Sequence, residues 1–148
     1  MSALSVSACA APRSCAGGIF TDTARSGSLD SATRRAVRRQ RRVEIDFARV
    51  LPPGEGPVAA RSAERITLNL FPDVCVIAWR DGATALERGA VQWEGRVPGA
   101  SPGTATLVVD GALMVGTIRI GGDVYEIRYL GDGVHVVTDV DPSKFPRD

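Results

Sequence analysis

Apolar and polar residues alternate along most of the chain after residue 43, which is the pattern of half-buried β-strands. Val43, Ile45 and Phe47 alternate with acidic residues, whereas residues 74–79 form a nearly continuous apolar run, typical of a central strand covered on both faces. Loops rich in Gly, Pro and Asp separate the runs. The pattern predicts about eight strands and no helix in this part of the chain, at residues 43–47, 66–70, 74–79, 90–97, 104–109, 112–120, 124–130 and 134–140.

The last four predicted strands form the most regular part of the pattern. A glycine at position 116, inside one of them, predicts a bulge or a close backbone approach. We therefore expect an all-β, antiparallel sandwich or strongly curved sheet that ends in a C-terminal meander. Short turn signals of the type that joins hairpins lie between its strands, at Asp110-Gly111, Gly121-Gly122 and Gly131-Asp132-Gly133.

Charge divides the chain into two parts. Residues 1–43 hold eight arginines and two aspartates, a net charge of +6, whereas residues 44–148 hold ten basic and fifteen acidic residues, a net charge of −5. With few large apolar residues, residues 1–42 are predicted to form a disordered basic tail or linker, followed by a β-rich domain at 43–148. The arginine run at 31–42 could attract nucleic acid, but a solvated linker is favoured because the acidic domain offers no aromatic stacking platform.

The cysteines and the N-terminus bear on location. No apolar run approaches the roughly 18 residues of a membrane helix, so no membrane span is expected. No complete secretory signal is visible, although residues 6–9 resemble the end of a bacterial lipoprotein signal, which makes Cys9 a candidate lipidation site. Because three cysteines cannot all pair within one chain, a disulfide-built scaffold is not expected, and Cys9 with Cys15 provides too few ligands for structural zinc.

Few residues suit catalysis. The single histidine, His135, excludes a His-Glu-x-x-His zinc helix within the chain. His135 and Asp139 share one face of a predicted strand, but Ser101 and Ser143 lack a nucleophile-elbow context, so His135 is interpreted as an ordinary strand residue. We therefore expect no catalytic residue, no metal site, no cofactor and no enzyme activity.

Other polar and aromatic residues also favour structural roles. Asp139, Asp141 and Asp148 lack the spacing of a calcium loop and are interpreted as solvated or turn-capping acids. Trp79 and Trp93 are predicted to pack in the core or on a sheet face rather than to stack on a sugar.

Six segments, in their order and spacing, resemble the N-terminal pro-region of bacterial secreted zinc metallopeptidases of the reprolysin type. The resemblance covers about residues 40–147. It implies a non-catalytic β-rich prodomain that assists the folding of a protease and keeps it latent. The segments are Leu68-Asn69-Leu70-Phe71-Pro72-Asp73, Trp93-Glu94-Gly95-Arg96-Val97, Gly116-Thr117-Ile118-Arg119, Tyr125-Glu126-Ile127-Arg128, His135-Val136-Val137, and Asp139-Val140-Asp141-Pro142-Ser143-Lys144-Phe145-Pro146.

The resemblance also implies a partner, the catalytic domain of a zinc metallopeptidase, bound in cis or in trans, and a secreted or cell-envelope location. Such a catalytic domain would follow Asp148. Some related pro-regions block zinc with a thiolate, for which Cys75 is the candidate inside the domain, although its apolar surroundings favour burial. Sheet-edge pairing in the protease cleft is a second mode of inhibition. The alternative function is a free-standing β-sandwich binding or adhesion module of the cell envelope.

Overall fold

The computed structural model describes residues 15–23 and 37–144, and the predicted all-β class is confirmed there. These residues form a nine-stranded antiparallel sheet with three short 3-10 helices, Phe47–Arg49, Glu87–Gly89 and Pro142–Lys144. The strands are β1 Phe20–Asp22, β2 Val37–Ile45, β3 Arg65–Phe71, β4 Val74–Ala85, β5 Val91–Val97, β6 Gly103–Asp110, β7 Leu113–Ile120, β8 Asp123–Gly131 and β9 Val134–Val140.

The sheet curves until it is nearly closed. Its strand order is β1-β2-β9-β8-β7-β6-β5-β4-β3, so strands β3 to β9 form one continuous meander and β2 pairs with β9. The two end strands meet, because the Ile19 N–H donates to the Thr67 carbonyl at 3.2 Å. Of the two predicted architectures, the curved sheet is therefore the one that forms.

The core lies inside the curve and is filled by alternating residues of each strand. In β5 and β6, the inward positions are buried and the outward positions are partly or fully exposed. Trp93, fully buried, lies against Gly95, where a Cβ atom would come within 2.6 Å of the indole ring. Gly116 likewise allows a close approach, since a Cβ there would lie 2.6 Å from the Thr106 carbonyl oxygen. The predicted close approach is thus confirmed, without a register shift at this position.

The segment between β2 and β3 covers one end of the sheet. Val50 is fully buried, and its carbonyl accepts the N–H of Ala63 at 2.8 Å. The Trp93 indole N–H donates to the Ala63 carbonyl at 2.8 Å, which ties this segment to the interior. Buried tryptophan needs such an acceptor for its N–H.

Two details of the strand prediction are wrong. The strand buried along its whole length is β9, whereas the outer face of β4 is half exposed: Trp79 retains 38% of its surface. In the β6–β7 turn, Gly111 has a positive φ of 61° and occupies the first central position, so Asp110 ends the strand. A type I′ turn, which has positive φ at both central residues, occurs instead at Asp132-Gly133.

The sheet also extends to the N-terminal side of the boundary predicted at residue 43. β2 begins at Val37, and Ile19 and Phe20 belong to the core. Residues 15–23 and 37–42, which were predicted to belong to a disordered tail, are therefore integral to the sheet. The arginines of β2 can lie there because acidic side chains pair with them. Residues 1–14 and 24–36 of that segment lie outside the described residues.

Candidate functional site

His135 is fully buried at one end of the curved sheet and makes a structural hydrogen bond. Its Nε2 accepts the backbone N–H of Met114 at 3.0 Å, and its ring lies between Phe47 and Tyr129, with centroids 5.9 and 5.0 Å away. Burial lowers the pKa of His135, and the backbone of Gly133 offsets part of that effect. An acceptor at Nε2 requires the neutral ring, with its proton on Nδ1.

The structure does not bring His135 and Asp139 together. They lie four residues apart on one extended strand, about 13 Å along it, which is too far for a hydrogen bond. Asp139 is 6% exposed and instead accepts a hydrogen bond from Arg39 Nε at 3.1 Å. The geometry gives this His–Asp pair no triad arrangement, in agreement with the structural interpretation of His135.

A charged cluster surrounds Asp139 at the opposite end of the sheet. Arg39 also donates to Asp73 at 2.7 Å, and its guanidinium lies 4.1 Å from the centroid of the Phe71 ring. This hydrogen bond from Arg39 lowers the pKa of Asp73. Burial raises the pKa of Tyr125, and the nearby carboxylate of Asp139 adds to the effect. The cluster is an ion-pair network across β2, β9 and the β3–β4 turn.

The neighbouring arginines are also held by acidic residues or carbonyls. Arg38 lies 3.2 Å from Asp123 and 3.5 Å from Asp141, and Arg41 lies 2.5 Å from Asp22. Hydrogen bonds from Ser143 lower the pKa of Asp141, which caps the last 3-10 helix as predicted for a turn-capping acid. The part of the arginine run that lies in β2 therefore neutralises the acidic domain rather than forming a solvated linker.

The meeting point of β1 and β3 is held by side chains, and we call it the seam. The Asn69 carboxamide accepts the Phe20 N–H at 2.9 Å and donates to the Phe20 carbonyl at 2.7 Å, as a neighbouring strand would. Arg41 donates to the Asn69 carbonyl at 2.6 Å. Gly18 is required beside the carboxamide, because a Cβ there would lie 2.2 Å from Asn69 Cγ. Sequence periodicity gave no signal for these contacts, since Asn69 occupies an ordinary outward strand position.

Cys75 closes the same seam through a disulfide to Cys15. The two Cα atoms are 5.5 Å apart and the residues are 60 positions apart in the chain. A disulfide-built scaffold was not expected from three cysteines, and this single bond is one that the odd count did not indicate. In this oxidised form Cys75 has no free thiol with which to block zinc, and its outward position on β4 is half-buried rather than fully buried. Cys9, the candidate lipidation site, lies outside the described residues.

The described ranges, 15–23 and 37–144, contain no group of three or more His, Cys, Asp or Glu side chains arranged to hold a metal ion. They also contain no helix long and apolar enough to cross a membrane. Trp93 is in the core and Trp79 is on the outer sheet face, the two positions predicted for these residues, and the Arg65 guanidinium lies 5.8 Å from the Trp79 ring centroid.

The sequence of this chain is similar to part of a metalloendopeptidase. The chain is similar to the peptidyl-Asp metalloendopeptidase of Xanthomonas campestris pv. campestris, with 31% identity over 118 residues. The match covers 72% of this chain but 26% of the relative, so the chain spans about a quarter of that protein's length. No protein-family model matches the chain, and no solved structure matches it significantly. The match links the chain to metallopeptidases.

Proposed function

We propose that this chain is a non-catalytic, prodomain-like partner of a secreted zinc metalloendopeptidase of the reprolysin type, which it helps to fold and keeps latent. The observation that carries the proposal is the 31% identity to one quarter of a metalloendopeptidase. The chain itself holds one histidine, fewer than a His-Glu-x-x-His helix requires. The domain would therefore act on a catalytic domain, in cis or in trans, rather than cleave peptides.

The interior of the sheet supports a binding role over a catalytic one. Its core positions are filled by apolar side chains such as Trp93, Leu107 and Ile118, all fully buried. His135 and Asp139, the polar residues of interest on β9, are each held by structural partners. Binding would then use the outer surface or an unpaired strand segment.

The disulfide supports the proposed location. Disulfides persist mainly in secreted and envelope proteins, where the surroundings are oxidising. The Cys15–Cys75 bond joins the segment before β1 to β4, next to the end strand β3, so an oxidising compartment would favour the closed form. A secreted or cell-envelope location is the one in which this fold gains that stabilisation.

The proposal is tested with the oxidised chain and the active Xanthomonas campestris metalloendopeptidase. We expect the chain to form a complex with it in gel filtration and to slow its cleavage of an aspartate-containing peptide. An unrelated zinc endopeptidase is the control and should be unaffected. Absence of both binding and inhibition at micromolar concentrations would contradict the proposal.

An arrangement in cis has its own readout. The intact mass of the native gene product, together with the reading frame after the Asp148 codon, shows whether a His-Glu-x-x-His segment follows in the same chain. A free 15.6 kDa product would favour inhibition in trans.

A further inference from the structure

The second half of β4 extends beyond its neighbour β3. The β3–β4 ladder ends at the pair Arg65↔Trp79, and the Arg80 N–H makes one more bond, to the Glu64 carbonyl at 2.8 Å. The ladder with β5 continues on the other side to the pair Ala85↔Val91. Within residues 15–23 and 37–144, no strand pairs with the outer edge of residues 81–85, which we call the free edge.

An aspartate marks the start of the free edge. The register between β4 and β5 shifts between Arg80 and Gly82, so Asp81 is the extra residue of a β-bulge. Its side chain is 54% exposed and forms an ion pair with Arg96, which is 58% exposed. The carboxylate is thus presented outward at the point where the strand edge becomes unpaired.

The residues that follow Asp81 are small. Gly82 has no atom within 4 Å of the position that a Cβ would occupy, and Thr84 and Ala85 are exposed. The short side chains at Gly82, Thr84 and Ala85 thus leave little to obstruct an approaching strand. Native proteins usually protect such edges because another extended chain can pair with them.

Endopeptidases bind their substrates as extended strands, by main-chain hydrogen bonds and by pockets for individual side chains. An aspartate-directed enzyme needs a basic or hydrogen-bond-donating pocket for the carboxylate. The free edge offers both features, an unpaired main chain and an exposed aspartate at its head.

We propose that the free edge, with Asp81 at its head, docks in the substrate cleft of a peptidyl-Asp endopeptidase and thereby occludes it. This inference rests on the proposed function and specifies which surface performs it. In the complex, the Asp81 carboxylate exchanges its ion pair with Arg96 for a donor of the protease pocket. The main chain of residues 81–85 pairs with the protease on the side where β3 provides no partner.

The test uses the oxidised chain, the active Xanthomonas campestris metalloendopeptidase and two pairs of variants. Asp81→Asn removes the charge at the free edge, and Asp123→Asn removes the charge of a similarly exposed, arginine-paired aspartate on β8, four strands away. Gly82→Phe places a bulky side chain on the free edge, and Gly122→Phe places one in the β7–β8 turn, where a Cβ also meets nothing within 4 Å. Thermal unfolding of each variant confirms that it folds.

We expect each free-edge variant to weaken inhibition by about tenfold or more, and each control by less than about twofold. Hydrogen exchange should show protection of the amides at 81–85 in the wild-type complex. If the wild-type chain inhibits and both free-edge variants inhibit equally well, the docking surface is wrong although the proposed function stands. If the wild-type chain neither binds nor inhibits, the proposed function fails, and this inference fails with it. A wild-type homodimer that Gly82→Phe dissociates would assign the edge to a second copy and overturn the inference.

Discussion

Protonation of His135 should make the stability of the domain depend on pH in a range where few other groups titrate. The ring is fully buried, and its Nε2 accepts the Met114 N–H. Protonation would turn this acceptor into a donor, leave the Met114 N–H without a partner, and place a charge beside Phe47 and Tyr129. Burial accordingly lowers the pKa of His135 from its ordinary 6.5.

Because the pKa of His135 is lower in the folded chain than in the unfolded chain, the domain loses stability as the pH falls. As the pH falls below 6.5, the unfolded chain binds a proton at His135 that the folded chain does not bind, so the free energy of unfolding decreases. While the folded ring stays neutral, the slope approaches about 1.4 kcal/mol per pH unit below pH 6.5, and the total loss between pH 8 and pH 5 is at most about 2 kcal/mol. Above about pH 7.5 the contribution is complete and constant, and the slope ends at the folded-state pKa.

The assay is urea unfolding at half-unit steps from pH 8 to pH 5. Because the chain has a single histidine, His135→Gln removes the whole effect while keeping an oxygen acceptor for Met114. His135→Phe also removes it, at a pH-independent cost of about 1–3 kcal/mol for the orphaned N–H. The reasoning is refuted if either variant keeps the wild-type slope between pH 6.5 and pH 5, or if nitrogen NMR shows the folded-state imidazole protonated at pH 6.5.

Three further predictions concern the seam and the core. Cys75→Ala and Cys15→Ala should each lower the free energy of unfolding by up to about 4 kcal/mol, because the bond links residues 60 positions apart and so restricts the unfolded chain. Urea unfolding of the reduced wild type should show the same loss. Asn69→Ala should cost about 1–3 kcal/mol and speed hydrogen exchange at Phe20, whose N–H and carbonyl both lose their partner; unchanged exchange there would contradict the seam. Gly95→Ala should lower the unfolding free energy by about 1–3 kcal/mol through the clash with Trp93, whereas Gly82→Ala, in open space, should change it by less than about 0.5 kcal/mol; equal effects in calorimetry would refute the packing argument.

The sequence predicts the meander well because its strands are neighbours both in the chain and in the sheet. In β5 and β6, the alternation of apolar and polar residues with a period of two shows directly which side chains are buried. The glycines between the later strands mark the hairpins. These are local signals, and they need no knowledge of distant residues.

The N-terminal strands could not be predicted in the same way. β2 contains arginine at 38, 39, 41 and 42, so its pattern is that of a solvated basic run until Asp73, Asp123 and Asp139 are known to lie beside it. β1 is three residues long and has no periodicity of its own. The free edge at Asp81 could not be predicted from the sequence either, because it depends on where β3 ends relative to β4.

The pairing of β2 with β9 has a consequence for how the chain acquires this structure. Arg39 and Asp139 are 100 residues apart, so the N-terminal strand has no ladder partner on this side until almost the whole domain has been synthesised. Contacts of such long sequence range make folding slow, because the loop entropy is lost before the contact is gained. During translation, β2 therefore lacks its β9 partner until Val134–Val140 has left the ribosome. A nascent chain stalled before Val134 could not complete the sheet.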